Sequence, residues 1–220
     1  MRAFIIFLLL MTRAQAQEAL DILREARLSP TATAASLRAQ IRGDEKPSPL
    51  IIGLKYGVIS YEFTAPEQTL LLKLDADKTK LLEKKAGTTR EINGAHLHEM
   101  LRNTGISYQD LSLGFLYWPA PILQGEDNFR TRSCWKIDLQ APPSEELYGV
   151  ARIWIDKESG GILKIEGYDK KGLLVRRFEL ISPQKIDGIW MLKQMRIESF
   201  SPGNPKPLSR HYLEVLGKNP

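Results

Sequence analysis

The sequence predicts an α+β fold in which one strongly curved antiparallel sheet, of about 9–11 strands, is filled on its concave side by helices. Three observations point there. Through most of the chain apolar residues recur at every second position, the period of a strand with one dry and one wet face. Gly, Asp, Asn and Pro separate these runs at short intervals, which is turn chemistry. The dry residues fall on one side of nearly every run, and a single curved sheet explains this more simply than two stacked sheets.

Residues 1–16 stand apart. Met1-Arg2 is a short basic start, Ala3 to Met11 is continuously apolar, and Ala14-Gln15-Ala16 is a small-x-small cleavage site. This is the pattern of a secretory signal peptide, too short to span a bilayer. Residues 17–220 are expected to form a single domain. No Cys follows the predicted cut, so a bacterial lipid anchor is not expected, and the mature chain is expected to be free in the periplasm. Cys134 is the only cysteine, which excludes an internal disulfide.

Gln17 to Leu28 reads as an amphipathic helix with Leu20, Leu23 and Leu28 on one side, stopped by Ser29-Pro30. From Ala34 the period becomes two: Ala35, Leu37, Ala39 and Ile41 form the first dry set. Leu50, Ile52, Leu54 and Tyr56 form the second, Ile59, Tyr61 and Phe63 the third, and Leu70, Leu72 and Leu74 the fourth. Thr79 to Lys85 is a poorer strand, and Ala95 to Arg102, after the turn signal Asn93-Gly94, reads as a short helix. Ser107 to Tyr117 reads as one further helix, ended by Pro119 and unusually greasy, with Leu111, Leu113, Phe115 and Leu116.

Trp135, Ile137 and Leu139 alternate with Cys134, Lys136 and Asp138 in another strand. Tyr148 to Trp190 then reads as an antiparallel meander. Its strands carry Ile153 and Ile155, then Leu163 and Ile165, then Phe178, and its joints are Asp156 to Gly161, Asp169 to Gly172 and Asp187-Gly188. Met195, Ile197, Leu213 and Val215 belong to the closing strands.

The composition, 43% hydrophobic and 26% charged, is that of a globular chain with a substantial core. The net charge of +5 is spread among acids, with no basic stripe or reading motif, so nucleic acid is not an expected partner. Catalytic vocabulary is sparse. His96, His98 and Glu99 lie beside a turn with no Cys nearby, and a surface loop accounts for them better than a metal site. Asp156, Asp169 and Asp187 sit at turn positions that already favour Asp, so with Glu158 they do not call for acid/base chemistry. Neither a nucleophile elbow nor a phosphate-binding glycine loop occurs, and Cys134 has no adjacent His. No catalytic residue, metal or cofactor is expected, and the protein is not expected to be an enzyme.

The order Trp154-Ile155-Asp156, a Gly-containing turn, Leu163-x-Ile165-Glu166-x-Tyr168-Asp169, Gly172, a long strand and Ile186-Asp187-Gly188-x-Trp190 resembles the C-terminal half of the LolA-like outer-membrane lipoprotein-sorting proteins. Ile106 to Leu111, Trp118-Pro119 and Cys134-Trp135 resemble them too, so the likeness covers roughly residues 100–216. On residues alone, Leu54, Tyr56, Tyr61, Phe63, Leu72, Trp135, Ile137, Leu163, Ile165, Phe178 and Met195, with Leu113, Phe115 and Leu116, are either ordinary core or the lining of a cavity. The resemblance implies a cavity, in an open half-barrel closed by helical lids.

It further implies a monomeric periplasmic carrier of lipoprotein acyl chains, loaded by an inner-membrane exporter and unloaded at an outer-membrane acceptor. A carrier of another lipid and an envelope sensor are the alternatives the fold allows. The lid is expected to open for loading, or to stay shut over its own Leu and Phe when empty. The basic residue that latches the lid in the best-known carriers has no position assignable from this sequence.

Overall fold

The computed structural model of the chain describes residues 16–102 and 104–220. The predicted signal peptide lies outside the described residues, apart from Ala16. Residues 16–28 form the first helix, α1. Six strands follow: β1 (Ala35–Arg42), β2 (Ser48–Lys55), β3 (Val58–Thr64), β4 (Glu67–Leu74), β5 (Thr79–Lys85) and β6 (Thr88–Ile92). Seven more come after a helical interval: β7 (Ile122–Phe129), β8 (Arg132–Gln140), β9 (Val150–Asp156), β10 (Ile162–Tyr168), β11 (Leu174–Ile186), β12 (Ile189–Phe200) and β13 (Pro207–Lys218).

All thirteen belong to one antiparallel sheet, curved and not closed, in the order β6-β5-β4-β3-β2-β1-β13-β12-β11-β10-β9-β8-β7. Strands consecutive in the chain are neighbours, except that β1 pairs with β13 and β6 does not pair with β7. The two free edges, β6 and β7, are therefore joined by residues 93–121, which must travel from one edge of the half-barrel to the other. They cross the concave side. Leu101, Ile106, Tyr108, Leu111, Phe115, Leu116 and Trp118 from this crossing share a buried cluster with Leu37, Ile52, Tyr61, Leu72, Ile137, Ile153 and Ile197 from the strands.

The two strands beyond the expected number are the edges themselves. β6 buries only Ile92, and β7, although exposed and half-buried positions alternate along it, carries mostly polar residues and Gly between Leu123 and Phe129, so neither shows the apolar alternation by which the others are recognised. The expected helix over Ser107 to Tyr117 is broken into α2 (Tyr108–Ser112) and a 3-10 turn, Gly114–Tyr117. Ser107 opens α2 with a capping box, accepting from the Asp110 amide while Asp110 accepts from the Ser107 amide. At the far end Ser112 Oγ accepts from the Gly114 amide and donates to the Gln109 carbonyl, and Leu113 turns left-handed at φ +52°. The expected helix over Ala95 to Arg102 shrinks to a 3-10 turn, Gly94–His98.

On α1 the buried stripe is Ala19, Leu23 and Ala26, whereas Leu20 is half-buried and Leu28 exposed. Spacings of four and three put small residues on the packed side, and the larger Leu20 and Leu28 misdirect a reading based on hydrophobicity alone.

The convex side explains why the interior strands alternate. Arg210, Glu198, Arg177, Glu166 and Lys164 form a chain of ion pairs across β13, β12, β11 and β10, with separations from 2.8 to 3.6 Å. Cross-strand opposite charges of this kind stabilise pairing modestly and fix register. Glu214 accepts from Arg42, Gln40 and Gln194, bonds that hold its carboxyl down at about 2.

Candidate functional site: an apolar trough and its cover

The concave face is continuous from β6 to β8 and is covered twice, by the crossing segment and by α1. Eight of the fourteen residues expected to line a cavity lie in the buried cluster: Tyr61, Phe63, Leu72, Phe115, Leu116, Ile137, Ile165 and Phe178. Leu54, Leu113 and Met195 are half-buried against it. Three are elsewhere.

Tyr56 is 77% exposed at φ +39° in the β2–β3 turn, where the strand pattern ends one residue earlier than expected. Trp135 is half-buried outside the cluster, with the Lys157 ammonium 4.0 Å from its ring centroid, and it lines a separate cavity beside α1. Leu163 is displaced by a register shift between Ile162 and Lys164, so Ile162 packs against the core in its stead.

Beneath the crossing segment the packing is tight, and a pocket of about 10 Å³ lies between Phe115, Trp118, Tyr148, Ile165 and Phe178. That is barely room for one water. Phe115 of the cover meets Phe178 of β11 with ring centroids 6.0 Å apart, and Trp118 meets Tyr148 at 6.2 Å. Gly167 makes the second contact feasible, because a Cβ there would stand 2.6 Å from the Tyr148 ring. A larger cavity of about 310 Å³ opens at one end of the sheet, between Ile22 and Glu25 of α1, Trp135 and Ile155 of the strands, and the β9–β10 turn, Lys157 to Gly160.

Polar clamps hold the cover to the sheet. Arg176, on the concave side of β11, reaches Asp110 of α2 through Nε at 3.1 Å and through Nη2, and donates to the Gly105 carbonyl at 3.0 Å. Arg27 of α1 donates through Nε to the Leu116 carbonyl at 3.0 Å and through Nη1 to the Ala76 carbonyl at 2.9 Å. It thereby ties helix, cover and β4–β5 turn together, and burial lowers its pKa. Near the β6 edge, Gln68 donates to Glu83 at 2.6 Å and to Tyr108 at 3.0 Å. Burial alone would raise the Glu83 pKa, but hydrogen bonds from Arg90 and Gln68 hold it below the usual carboxylate range. Gln109 donates to Glu145 at 3.0 Å, fixing α2 to the β8–β9 connection.

His211 sits behind this clamp. Its ring is wedged between Gly43 and Gly105, where an added Cβ would lie 2.2 and 2.1 Å from it, and its Nδ1 has no hydrogen-bond partner among the described residues. Burial, and then the nearby Arg176 charge, lower its pKa. Arg27, Arg176 and His211 are the features that sequence reasoning missed. Arg27 reaches Leu116 across 89 positions and Arg176 reaches Asp110 across 66, and only the close approach of Gly43 and Gly105 to His211 hints at the third.

The other candidates are dispersed. His96 and His98 lie in the 3-10 turn Gly94–His98, with His96 Nδ1 2.7 Å from Glu99 Oε1. Asp156 is buried and engaged by Arg132 at 2.7 and 3.0 Å and by Ser159, Asp169 accepts from the Lys171 and Leu173 amides, and Asp187 pairs with Lys218. Cys134 is fully buried on β8, and burial pushes its thiol up.

Comparison with known proteins agrees with this architecture. A family model described as an uncharacterized protein family matches residues 60–205. No curated protein matches. A putative outer membrane lipoprotein-sorting protein domain from Vibrio parahaemolyticus superposes with a TM-score of 0.71 at 15% identity, over 91% of each chain. A DUF1329 family protein from Desulfovibrio piger gives 0.63 at 21% identity, and a LolA superfamily protein from Nitrosomonas europaea 0.59 at 17%, each again over 91% of both chains. The chain belongs to the family whose model spans residues 60–205, and its fold is the LolA-like open half-barrel.

Proposed function

We propose that residues 17–220 act as a periplasmic carrier that hides the acyl chains of lipoproteins in the trough during delivery towards the outer membrane. The observation that carries this reading is the cover. One chain segment, residues 93–121, shields an apolar face drawn from nearly all the strands, and it is held by a few polar clamps at its seams. The fold shared with the Vibrio lipoprotein-sorting domain supports the same reading. Among the described residues no helix is long and apolar enough to cross a membrane.

Magnitudes favour exchange over simple insertion. The seven large apolar side chains of the cover would lose on the order of 10–20 kcal/mol if fully exposed, at about 1.5–3 kcal/mol each. An acyl chain of about 16 carbons withdrawn from water gains on the order of 10 kcal/mol. The two are comparable. Cargo can therefore displace the cover without either state becoming a trap, and the empty trough stays shut over its own Leu and Phe. Arg176 and Asp110 then act as the latch. Loading by an inner-membrane exporter and release to an outer-membrane acceptor would supply direction, the carrier working as a monomer.

Native mass spectrometry of the protein recovered from its own cell envelope tests this. A bound acylated polypeptide is the expected result. Small lipids alone, or a regulatory protein without lipid, would overturn the lipoprotein reading.

A further inference from the structure

The β11–β12 hairpin outruns its neighbours. Pairing of β11 with β10 stops at Glu179, and pairing of β12 with β13 starts only at Gln194, so the strand ends beyond these points pair with each other alone. Its tip carries apolar surface into solvent. Trp190 is 64% exposed and Ile189 38%, and Leu216 is exposed on the adjoining β13, which Gln184 ties to the hairpin through the Val215 carbonyl.

Lys185 stands directly opposite Trp190 in the hairpin, and Lys193 follows three positions further along β12. The Lys185 ammonium lies 5.0 Å from the Trp190 ring centroid, and neither Lys185 nor Lys193 has an ion-pair partner among the described residues. The acid at the tip, Asp187, is neutralised by Lys218 at 2.6 Å. Strand register brings a second exposed aromatic to the same end of the sheet: Leu37 pairs with Lys218, Ala35 with Leu54, and Tyr56 with its neighbour Lys55 follows directly in the β2–β3 turn. Indole and phenol rings combine an apolar body with a polar handle, and lysines extend apolar stems with charged ends. Together these favour the boundary between acyl chains and headgroups.

We propose that this end of the sheet docks on an anionic bilayer surface, with Trp190 and Ile189 seated at headgroup level and Lys185 and Lys193 meeting lipid phosphates. An exposed Trp and Ile beside a lysine without an acidic partner combine an apolar wedge with positive charge, which fits the headgroup layer of an anionic bilayer. The inference goes beyond the carrier reading and holds whatever the trough contains, because the docking residues lie outside the buried cluster.

Vesicle flotation tests it, with the full chain as the cell processes it. Vesicles of phosphatidylcholine doped with phosphatidylglycerol should carry the protein up, vesicles of phosphatidylcholine alone should carry less, and added salt should weaken the difference. Trp190→Asp should lower the partition coefficient about tenfold or more. Lys185→Glu with Lys193→Glu should abolish the preference for the anionic vesicles. Unchanged melting temperatures would show that these exposed changes leave the fold intact. Failure of the unaltered protein to float, equal flotation of Trp190→Asp, or a lipid-free dimer that depends on Trp190 would each overturn the proposal.

Discussion

Arg176 and Asp110 face each other across the seam between sheet and cover, with 8% and 3% of their side chains exposed. Asp110 also closes the capping box of α2, so one carboxylate both starts the helix and anchors it. Arg176→Met leaves that carboxylate buried and unpaired, and is expected to cost about 3–5 kcal/mol in denaturant unfolding. Adding Asp110→Asn should recover part of the loss, since the two changes share one interaction. Additive losses would show that the pair does not act as a unit.

A tether across the same seam should block exchange. Phe115→Cys with Phe178→Cys, placed where the two rings now meet, allows the cover to be cross-linked to β11. The cross-linked protein is expected to lose uptake of a fluorescent acyl probe, and reduction should restore it. Undiminished uptake in the tethered form would mean that cargo enters by another route.

Packing around His211 makes a separate prediction. Gly43→Ala puts a methyl group against a ring that Gly105 prevents from moving away, and should destabilise the protein by about 1–3 kcal/mol. Combining it with His211→Ala should remove most of that added penalty. If Gly43→Ala is harmless in the unaltered background, the wedge is looser than the contacts require.

Protonation supplies two windows. His211 has a lowered folded pKa, so its contribution is complete above the unfolded value near 6.5 and is lost as pH falls through the folded one. The groups facing it, Arg176, Asp44 and Asp110, belong to three different elements, and protonation adds a positive charge beside Arg176. Stability should therefore fall below about pH 6.5, and His211→Gln should flatten that slope. Glu214 contributes above its unfolded value near 4.5 and loses this as pH drops to about 2, a lower window that Glu214→Gln should erase. Melting temperatures across pH 7 to 2 separate the two.

Cys134 should be inert in the folded protein. Its sulfur is fully buried and its thiol pKa raised, so maleimide labelling should await unfolding. Rapid labelling of the native state would contradict the packing of β8.

The interior strands were legible because their solvent side is as regular as their dry side. Leu70, Leu72 and Leu74 point inward together, and the Arg and Glu residues between β10 and β13 alternate outward in register. β6 and β7 were not, because an edge strand buries little and can fill its inward positions with polar residues or Gly, as β7 does at Gly125 and Asp127. Most of the candidate lining was legible for the same reason as the strands. Leu163 depended on a local register shift that periodicity cannot register. The Arg176–Asp110 clamp joins positions 66 apart, and no local pattern announces such a partnership.

The seam between β1 and β13 sits at the middle of the sheet, and Arg38 meets the Lys218 carbonyl across 180 positions of sequence. Early residues thus wait for the last ones before the two halves of the sheet can be stitched together. Until β13 is free to pair, the dry face that spans both halves cannot be joined, so the concave side is the last part of the molecule to be completed.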